Sequence, residues 1–564
     1  MQRRQFLKVA GFSTASLFFT WTDPDTGIAW QALEYPLAVA ILSRGKWIGL
    51  TGSKDRWNKG QVQVNLRQAG PSLSVSLVAP GMELEKVRLT WRRGFASNAS
   101  YLGDDWERSY GDLAWQPAAS QSAAPQPTAP HRKAPWYLLV HDGQQTTAFG
   151  VKTGARSFCY WQASPGQLEL FMDTHSGGSG VLLGDRTLEA AEIITTQSLP
   201  GETPYQTDGR FCKMMCDKPV LPAKPVYGIN DWYFAYGNNS KELILHHTEM
   251  MSNLALDTNN RPFSVIDDGW QLHLPKGSND TCWGDDFSKS NNKFGDMSQV
   301  TAEIKKLGMR PGLWTRPLLA NQHDIPSSMI PIRNGRQDSK ERYLDPTIPE
   351  NLNRIAGIIG IYKEWGFDLV KHDYSTYDFF GRWGFEMKEE LTSPGWHFND
   401  RSKTNAEILL ELYQTIRKAA GNMLLIGCNT VSHLSAGIFD LMRTGDDTSG
   451  KEWARTSKMG VNTLGFRLPQ HNAFYAVDGD CVGLTTEIPW KKNQQWLQLL
   501  TESSAPLFIS AQPEAIGEEQ KAVIKKSFTL AARPQPLAVP LDWMTNPRPA
   551  KWNLNGDIVN FDWS

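Results

Sequence analysis

The chain has 564 residues, which is too long for one ordinary hydrophobic core and predicts two or three domains. Its 58 lysines and arginines nearly balance its 59 aspartates and glutamates, and neither sign is concentrated in one half of the sequence. This balance argues against a nucleic acid or an anionic membrane surface as partner and favours a neutral one.

The first twenty residues carry a separate signal. Arg3 and Arg4 precede a short apolar run at 9–19. The pattern resembles a twin-arginine export signal at 1–20 and predicts a periplasmic or otherwise exported protein. The run is too short for a stable membrane-spanning helix, and no later stretch is long and apolar enough, so we predict no transmembrane span. No A-x-A cleavage site stands out before Ala29, which leaves retention as an N-terminal anchor open.

The six cysteines are sparse and irregularly spaced. Cys212 and Cys216 could pair after export, and the sequence leaves that disulfide open. There is no second CxxC motif or histidine cluster with zinc-ligand spacing, and His246 and His247 with Glu249 do not form a zinc helix. We therefore predict no metal site and no cofactor.

Residues 21–222 have the pattern of short strands and turns. Segments such as QVQVNLRQ and SLSVSLVA alternate apolar and polar residues, and Gly, Pro and Ser residues separate them. No segment here has a convincing helical pattern. The region predicts an antiparallel β-sandwich of about two hundred residues.

In residues 223–533 the pattern changes to strands that alternate with helices. The eight candidate strands are VYGINDWYF, PFSVIDD, RPGLWTR, FDLVKHD, MLLIGCN, IFDLMRTG, AFYAVDG and PLFIS. Helices are expected at 240–256, 297–307, 349–365, 404–420, 493–502 and 518–531. Eight such units over roughly three hundred residues predict a (β/α)8 TIM barrel. Residues 534–564 predict only a short C-terminal β segment.

A doubly wound open sheet is the alternative for this region. Such a sheet would normally carry a glycine fingerprint after its first strand. Here Asn230, Asp231 and Trp232 occupy that place. The barrel is therefore the favoured fold.

Charged and polar residues recur where the predicted barrel strands end. The C-terminal ends of all strands meet on one face of a barrel, so these residues are expected to form one site. In strand order they are Asp231 and Trp232; Asp267 and Asp268; Trp314, Thr315 and Arg316; Lys371 and Asp373; Cys428 and Asn429; Arg443, Asp446 and Asp447; Asp478 and Asp480.

The fourth strand end carries the motif Lys-x-Asp. Lys371 and Asp373 alternate, so both side chains are expected on the same side of the strand, with the cation beside the carboxylate. The cation would keep Asp373 ionised at neutral pH and make it a nucleophile. A structural ion pair is the common alternative for so short a motif.

Abundant carboxylates with tryptophans nearby fit glycoside hydrolysis by two carboxyl groups. One attacks the anomeric carbon, and the other protonates the departing oxygen. A separation of roughly 5 to 5.5 Å would exclude an intervening water, so that the product keeps the substrate's configuration. Asp373 is the predicted nucleophile. Spacing alone leaves Asp446 and Asp447 as competing candidates for the acid, and Arg443 would oppose protonation of either one.

Four motifs in the right order resemble those of the melibiase-type α-galactosidases of glycoside hydrolase families 36 and 27. They are SVIDDGWQ, PGLWTRP, LVKHDYS and LIGCNTVSHLSAGIFDLMRTGDDT. The resemblance covers about 227–531, and the β-rich region before it is similar to the N-terminal β-sandwich of family 36. It implies retaining release of terminal α-galactose from an oligosaccharide, polysaccharide or glycoconjugate.

The resemblance also implies roles for individual residues. The family's nucleophile lies in a Lys-x-Asp motif that matches Asp373, and its acid/base lies four residues after an arginine, which selects Asp447 over Asp446. Tandem acids that hold the 4- and 6-hydroxyls of the sugar match Asp267 and Asp268. The substrate-binding residues implied in this way are Asp267, Asp268, Lys371, Arg443, Trp232, Trp283, Trp314 and Cys428.

Two departures from the family and several alternatives stay open. AVDGDC follows the family's Asn-Asp-Pro-Asp-Cys only loosely, so Asp478 and Asp480 receive no firm role. Arg316 stands where many members have a small or neutral residue, and a salt bridge is favoured over a substrate contact. The alternative functions are an α-N-acetylgalactosaminidase, a β-L-arabinopyranosidase, a raffinose-synthase-like transglycosylase and a non-catalytic carbohydrate-binding barrel.

Overall fold

The computed structural model describes residues 20–22, 29–31, 33–117, 133–164, 166–272, 286–320, 341–387 and 390–564. Residues 1–19 of the predicted export signal and the predicted sugar-binding Trp283 lie outside the described residues. None of the helices in the described part of the chain has the length and apolar composition of a membrane-spanning helix.

Two large antiparallel sheets and one small sheet form the N-terminal part. In spatial order, the first sheet contains Gln116–Pro117, Ser100–Gly103, Tyr137–His141, Thr146–Val151, Leu188–Gln197, Ser72–Val78, Val62–Ala69, Arg56–Lys59 and Thr51–Ser53, with Ala29–Gln31 and Thr20–Thr22 joined to it through Leu188–Gln197. The second contains Lys133–Pro135, Phe158–Ser164, Gln167–Asp173, Lys86–Arg92, Ala38–Ser43 and Lys46–Gly49. The small sheet contains His175–Ser176, Ser179–Leu182 and Glu83–Leu84.

The alternation in sequence sets which face of each sheet is buried. In Val62–Ala69, Val62, Val64 and Leu66 are buried, and the residues between them are partly exposed. Aromatic rings join the two inner faces: Phe149 of the first sheet lies 5.8 Å from Trp161 of the second, between ring centroids. These features confirm the predicted antiparallel β-sandwich.

One helix, Pro204–Met215, lies in the region where we predicted strands only, and that part of the prediction is wrong. Thr203 caps the helix, because its hydroxyl accepts from the Gln206 N–H at 3.2 Å. The Gln206 side chain in turn accepts from the Thr203 N–H at 2.9 Å. This capping signal follows directly on a long strand, and the surrounding strand pattern masked it.

The second large unit is a parallel sheet that closes on itself. In chain order its strands are Tyr227–Asn230, Phe263–Ile266, Arg310–Thr315, Leu369–His372, Leu424–Gly427, Leu441–Arg443, Ala476–Asp478, Cys481–Leu484 and Leu507–Ala511. We refer to them as barrel strands one to eight, with Ala476–Asp478 and Cys481–Leu484 as the two halves of strand seven. Strand one pairs with both strand two and strand eight. The predicted (β/α)8 barrel is therefore confirmed.

Strand seven is divided between its two neighbours. Its first half pairs with strand six, and its second half pairs with strand eight. Gly479 and Asp480 link the halves, and Asp480 has a left-handed backbone with φ of 75°. This link changes the direction of the chain beside the predicted site at the carboxyl end of the barrel.

Helices alternate with the barrel strands. The long ones match the six predicted helices: Lys241–Ser252, Met297–Lys306, Pro349–Glu364, Asn405–Ala420, Trp490–Glu502 and Glu518–Ala531. Shorter helices are Trp232–Ala235, Ser375–Phe380, Ser432–Ser435, Trp453–Thr456 and Thr463–Arg467, with 3-10 turns at Gly384–Glu386, Leu468–Gln470 and Pro513–Ala515 and a π-helix at Ser457–Asn462. Two hairpins, Gln271–Leu272 with Asp286–Ser290 and Leu319–Ala320 with Arg342–Tyr343, follow strands two and three. Val539–Pro540, Lys551–Leu554 and Asp557–Asn560 form a C-terminal sheet.

A segment of the sandwich at 104–110 rests on the carboxyl end of the barrel. The Ser109 N–H donates to the Thr444 carbonyl at 2.8 Å, and the Asp446 N–H donates to the Ser109 carbonyl at 2.8 Å. Asp104 accepts from the buried Arg467 at 2.9 Å. The sandwich therefore forms part of the face on which the predicted site lies.

Candidate active site

A cavity of about 290 Å³ opens at the carboxyl ends of the barrel strands. Eight residues predicted from the sequence line it: Trp232, Asp267, Asp268, Trp314, Lys371, Asp373, Asp446 and Asp447. Two other predicted residues lie behind Asp447 and are buried: one Arg443 guanidinium nitrogen lies 3.3 Å from the Asp447 carboxylate, and the other lies 3.4 Å from the Cys428 sulfur. Trp283 lies outside the described residues.

Asp373 is held by two neutral N–H donors. The Trp314 indole N–H donates to its Oδ2 at 3.0 Å, and the Tyr374 backbone N–H donates to its Oδ1 at 2.7 Å. The residue is only 9% exposed, yet it lines the cavity. Both carboxylate oxygens are therefore fixed in orientation at the end of strand four.

Lys371 forms its ion pair with Asp267, and the expectation of a direct pair with Asp373 is corrected. Its Nζ lies 2.7 Å from Asp267 Oδ2. Burial alone would lower the pKa of Lys371, but its acidic neighbours, Asp267 foremost, together outweigh burial, and the pKa rises well above its usual value. The charge of Asp373 acts in the same direction, so the ammonium group lies within the field of both acids.

The tandem acids at the end of strand two differ in their partners. Asp267 pairs with Lys371 and also accepts from the Asn230 side chain at 2.6 Å. Asp268 accepts from the Gln271 side chain at 2.5 Å, and burial raises its pKa to about 7. Near neutral pH Asp268 can therefore either donate or accept a hydrogen bond, which suits recognition of a sugar hydroxyl.

Asp447 lies between two arginines. Arg108 from the sandwich and Arg443 from strand six place guanidinium nitrogens 3.4 and 3.3 Å from its Oδ1. Burial would raise the pKa of Asp447, but the positive charges of Arg108 and Arg443 outweigh it and lower the pKa to about 2. Its side chain is 37% exposed to the cavity. These charges hold the pKa of Asp447 low and favour its ionised form.

The neighbouring Asp446 has a different environment. It accepts from Arg108 at 2.8 Å and from Arg455 at 2.7 Å. Each arginine contacts a different oxygen of the Asp446 carboxylate, and the Asp446 side chain is 16% exposed. Asp446 therefore links the sandwich to the segment after strand six, while Asp447 has the greater access to the cavity.

The remaining strand-end residues support these groups. Asp480 accepts from Arg443 at 2.8 Å and from the Thr448 N–H at 2.7 Å, so it orients the arginine behind Asp447. Asp478 accepts from the Asp480 N–H at 2.9 Å. The Asn429 side chain donates to Glu107 of the sandwich.

Arg316 forms the salt bridges that the sequence favoured. It contacts Asp378 at 2.8 Å and Glu341 at 2.9 Å, with its side chain 3% exposed. Its guanidinium group also lies 4.2 Å from the centroid of the Tyr374 ring. These contacts fix the turn after strand four, on which Asp373 depends.

Several residues that line the cavity were missed in the sequence. They are Arg108 and Tyr110 of the sandwich, Tyr374, Trp383 and Phe385 after strand four, and Arg455 after strand six. The run GDDWERSY is dense in charge and breaks the alternation of the surrounding strands, and that interruption was the available signal. No local sequence pattern indicates that this run packs against the barrel.

Two other features concern thiols and metal-ligating groups. Cys212 and Cys216 are both free and buried. Among the described residues, Asp173, His175 and Glu390 form a group with ligand atoms close enough for a metal ion. The Lys86 ammonium already lies 3.0 Å from Glu390 and 3.6 Å from Asp173, so this group pairs with a lysine.

Comparison with known proteins confirms the resemblance inferred from the motifs. No family model matches the chain. An α-galactosidase from Escherichia coli is 27% identical over 185 residues, which make up 31% of this chain and 23% of that enzyme. The match thus spans less than a quarter of the curated relative.

Solved structures with the same fold cover far more of the chain. An α-galactosidase from Thermus thermophilus, in complex with p-nitrophenyl α-D-galactopyranoside, has a TM-score of 0.59 and 17% identity, over 93% of this chain and 98% of that one. A glycoside hydrolase family 36 α-galactosidase from Geobacillus stearothermophilus has a TM-score of 0.56 and 13% identity, over 83% and 67% of the two chains. The chain therefore shares its β-sandwich and barrel with these proteins.

Proposed function

We propose that this protein is a retaining exo-glycoside hydrolase that releases terminal α-galactose. The observation that carries the proposal is the cavity in which Asp373, oriented by neutral donors, and Asp447, bound by arginines, line the same face of a barrel. Two carboxyl groups on one face of a cavity match the two acids that a retaining glycosidase uses. The α-galactosidases with the same fold support the choice of sugar.

In the first step, the Asp373 carboxylate attacks the anomeric carbon as the bond to the leaving oxygen breaks. Asp447 gives its proton to that oxygen, and a galactosyl ester of Asp373 forms. In the second step, Asp447 takes a proton from water, which attacks the anomeric carbon and releases Asp373. Two inversions give net retention of configuration.

The choice of galactose follows from the floor of the cavity. Asp267 and Asp268 are buried and the Lys371 side chain is 12% exposed, and the 4- and 6-hydroxyls of the sugar would form hydrogen bonds with them. Glucose directs its 4-hydroxyl the other way and would lose its hydrogen bonds to these groups, each worth about 1.5–3 kcal/mol when the partner is charged. Trp232 would pack against the sugar ring.

The first experiment measures nitrophenol release from the α-galactoside, the α-N-acetylgalactosaminide and the β-L-arabinopyranoside by the protein that lacks its first twenty residues. We expect turnover of the α-galactoside with α-galactose as the first product by NMR, and none by Asp373→Asn. Initial release of the β-anomer would contradict the retaining mechanism. Turnover of only one of the other two glycosides would change the proposed sugar specificity but keep the mechanism. Binding without any turnover would favour a carbohydrate-binding barrel. Transfer of galactose to added sucrose in preference to water would favour a transglycosylase.

We also propose that the protein is exported. Arg3 and Arg4 followed by a short apolar run support this location. Cell fractionation of the full chain beside a variant with both arginines replaced by lysine tests it. Export that does not depend on the two arginines would contradict a twin-arginine route.

A further inference from the structure

Glu107 of the sandwich carries a fully buried carboxyl group that the proposed mechanism does not use. It is 0% exposed, and its side chain reaches the barrel. One carboxylate oxygen accepts from the Gly384 N–H at 2.7 Å and from the Tyr110 hydroxyl, and the other accepts from the side-chain amide of Asn429. Burial raises the pKa of Glu107, and the Arg108 guanidinium and these donors oppose that rise. Both oxygens act as acceptors, which is what a carboxylate offers its neighbours.

A backbone donor on the opposite side fixes the orientation of the Asn429 amide. The Tyr377 N–H donates to Asn429 Oδ1 at 3.2 Å. The amide oxygen therefore faces the helix at Ser375–Phe380, and the amide nitrogen faces Glu107. The Asn429 carbonyl also accepts from the Thr376 N–H at 3.1 Å. Asn429 thus binds the first turn of this helix with its backbone and its side chain, while Glu107 holds it from the other side.

This helix follows the turn that presents the nucleophile. Tyr374, directly before the helix, has a left-handed backbone with φ of 64°. That conformation is unfavourable for a residue with a side chain and persists only where neighbouring contacts support it. In this conformation the Tyr374 N–H donates to Asp373 Oδ1 at 2.7 Å. The orientation of the Asp373 carboxylate therefore depends on contacts that keep the start of the helix in place.

Glu107 also binds the chain beyond the end of this helix, at Gly384. A β-carbon at Gly384 would lie 2.5 Å from Glu107 Cγ, so a side chain at this position would displace the glutamate. The contacts of Glu107 with Asn429 and Gly384 lie on either side of the helix at Ser375–Phe380. One carboxylate therefore joins the sandwich to the segment after strand four and to the end of strand five.

We propose that Glu107 is a positioning residue for the nucleophile. Its carboxylate holds Asn429 and, through Asn429, the turn that orients Asp373. This inference rests on the proposed function. The non-catalytic domain then takes part in the attack on the anomeric carbon, and Glu107 acts through Asn429 rather than on the sugar.

Glu107→Gln is the first test, because it keeps the size of the side chain. In either orientation of the new amide, its NH2 group faces an N–H donor, that of Asn429 or that of Gly384. We expect kcat/KM for the nitrophenyl α-galactoside to fall about ten- to a hundredfold, since a misplaced nucleophile attacks slowly. The inhibition constant of galactose should stay within about twofold, because the groups that bind the sugar are unchanged.

An exchange of the two groups provides the rescue. In Glu107→Gln/Asn429→Asp the glutamine amide donates to the aspartate carboxylate, and oxygen atoms still face the other donors, those of Gly384, Tyr110 and Tyr377. Asn429→Asp alone breaks the contact from the barrel side and should cause a similar loss. The double variant should recover kcat/KM to within about threefold of the parent. No loss in Glu107→Gln, or no recovery in the double variant, would overturn the proposal.

Glu202→Gln is the matched control. The Glu202 side chain also lies in the N-terminal part, is 12% exposed, and accepts from the Leu199 N–H and from Arg210, both at 2.8 Å. The change should lower the melting temperature and leave kcat/KM within about twofold. A weaker inhibition by galactose in Glu107→Gln, in step with the loss of kcat/KM, would indicate a damaged pocket and overturn the specific role.

Hydrogen–deuterium exchange separates this inference from the proposed function. Amides at 374–380 should exchange faster in Glu107→Gln than in the parent and return to the parent rate in the double variant. Faster exchange with unchanged kcat/KM would indicate a purely structural contact and overturn the positioning role. If the parent turns over no galactoside, the proposed function fails, and the exchange rates alone support or overturn the effect of Glu107 on the turn.

Discussion

Asp373 and Asp447 occupy the same cavity in surroundings of opposite character. Asp373 accepts hydrogen bonds from the neutral N–H groups of Trp314 and Tyr374, whereas Asp447 lies within 3.4 Å of both Arg108 and Arg443. The cation expected beside Asp373 instead pairs directly with Asp267. Positive charge is therefore concentrated at the proposed acid, where it opposes protonation.

This difference indicates that the surroundings of the proposed acid do not favour its protonated form. Burial raises the pKa of Asp447, but the neighbouring arginines lower it to about 2, so weaker contacts with them would favour the protonated acid. Arg108 belongs to the sandwich, and it also packs over Trp383, which lines the cavity.

The largest expected effect comes from replacing the two acids. Asp447→Asn should lower kcat/KM for melibiose by about 10²- to 10⁴-fold, since general acid catalysis is lost. A dinitrophenyl leaving group needs little protonation, so its glycoside should suffer much less. Asp373→Asn should abolish turnover of both substrates, because no nucleophile remains. Steady-state rates on the two substrates check this, and an equal loss in both variants would contradict the separate roles.

Trp314→Phe tests the orientation of the nucleophile. The variant keeps an aromatic ring but removes the N–H that holds Asp373 Oδ2. A hydrogen bond to a charged group is worth about 1.5–3 kcal/mol, so we expect about a tenfold loss or more in kcat/KM on both activated and unactivated substrates.

Trp490→Phe provides the control for this prediction. Its indole N–H donates to the Glu519 carboxylate at 3.0 Å on the protein surface, far along the chain from the site. The variant should keep full activity. If Trp314→Phe were equally silent, the indole would have no role in orienting Asp373.

Arg108→Gln tests the electrostatic side of the comparison. Loss of the positive charge should raise the pKa of Asp447, so that the acid stays protonated to higher pH. The alkaline limb of kcat/KM for melibiose should therefore move upward by on the order of one pH unit. A full pH–rate profile measures this shift.

Two variants control for the charge of Arg108. Arg108→Lys keeps the charge and should shift the limb less. Arg186→Gln removes a surface arginine that pairs with Glu407 and should not shift it. A downward movement in Arg108→Gln would mean that Asp447 is not the group whose protonation limits the rate.

Asp446→Asn should have the smallest effect. Asp446 pairs with Arg108 and Arg455 without carrying the proton, so we expect a loss of about two- to fivefold that is equal for melibiose and the dinitrophenyl glycoside. The ratio of the two kcat/KM values is the readout. A strong dependence on the leaving group in Asp446→Asn, and none in Asp447→Asn, would transfer the acid role to Asp446.

The barrel could be predicted from the sequence because its signals are local. Apolar pairs such as Leu369 and Val370 are followed by polar residues at the strand ends, and the helices between the strands keep a 3.6-residue period. The helix at Asn405–Ala420 is therefore predicted almost to the residue. The rule that strand ends meet on one face then assembled Asp267, Asp373 and Asp447 into one site.

The contacts that the sequence did not reveal join distant parts of the chain. Arg108 reaches Asp447 across 339 residues, and nothing near either residue encodes that approach. Lys371 has two carboxylates within the range of its long side chain, and only the three-dimensional arrangement places Asp267 against its Nζ. Local patterns specify strands and helices, whereas the tertiary structure determines which charged side chains form pairs.

The placement of Arg108 and Tyr110 has a consequence for the evolutionary modularity of the protein. A gene rearrangement that moved the barrel without the sandwich would leave Asp446 and Asp447 without Arg108 and would remove Tyr110 from the wall of the cavity. Exchange of the sandwich for a homologous one would place different side chains on one wall of the cavity. The two domains are therefore expected to be inherited together, and changes in substrate preference can arise by mutation in the non-catalytic domain.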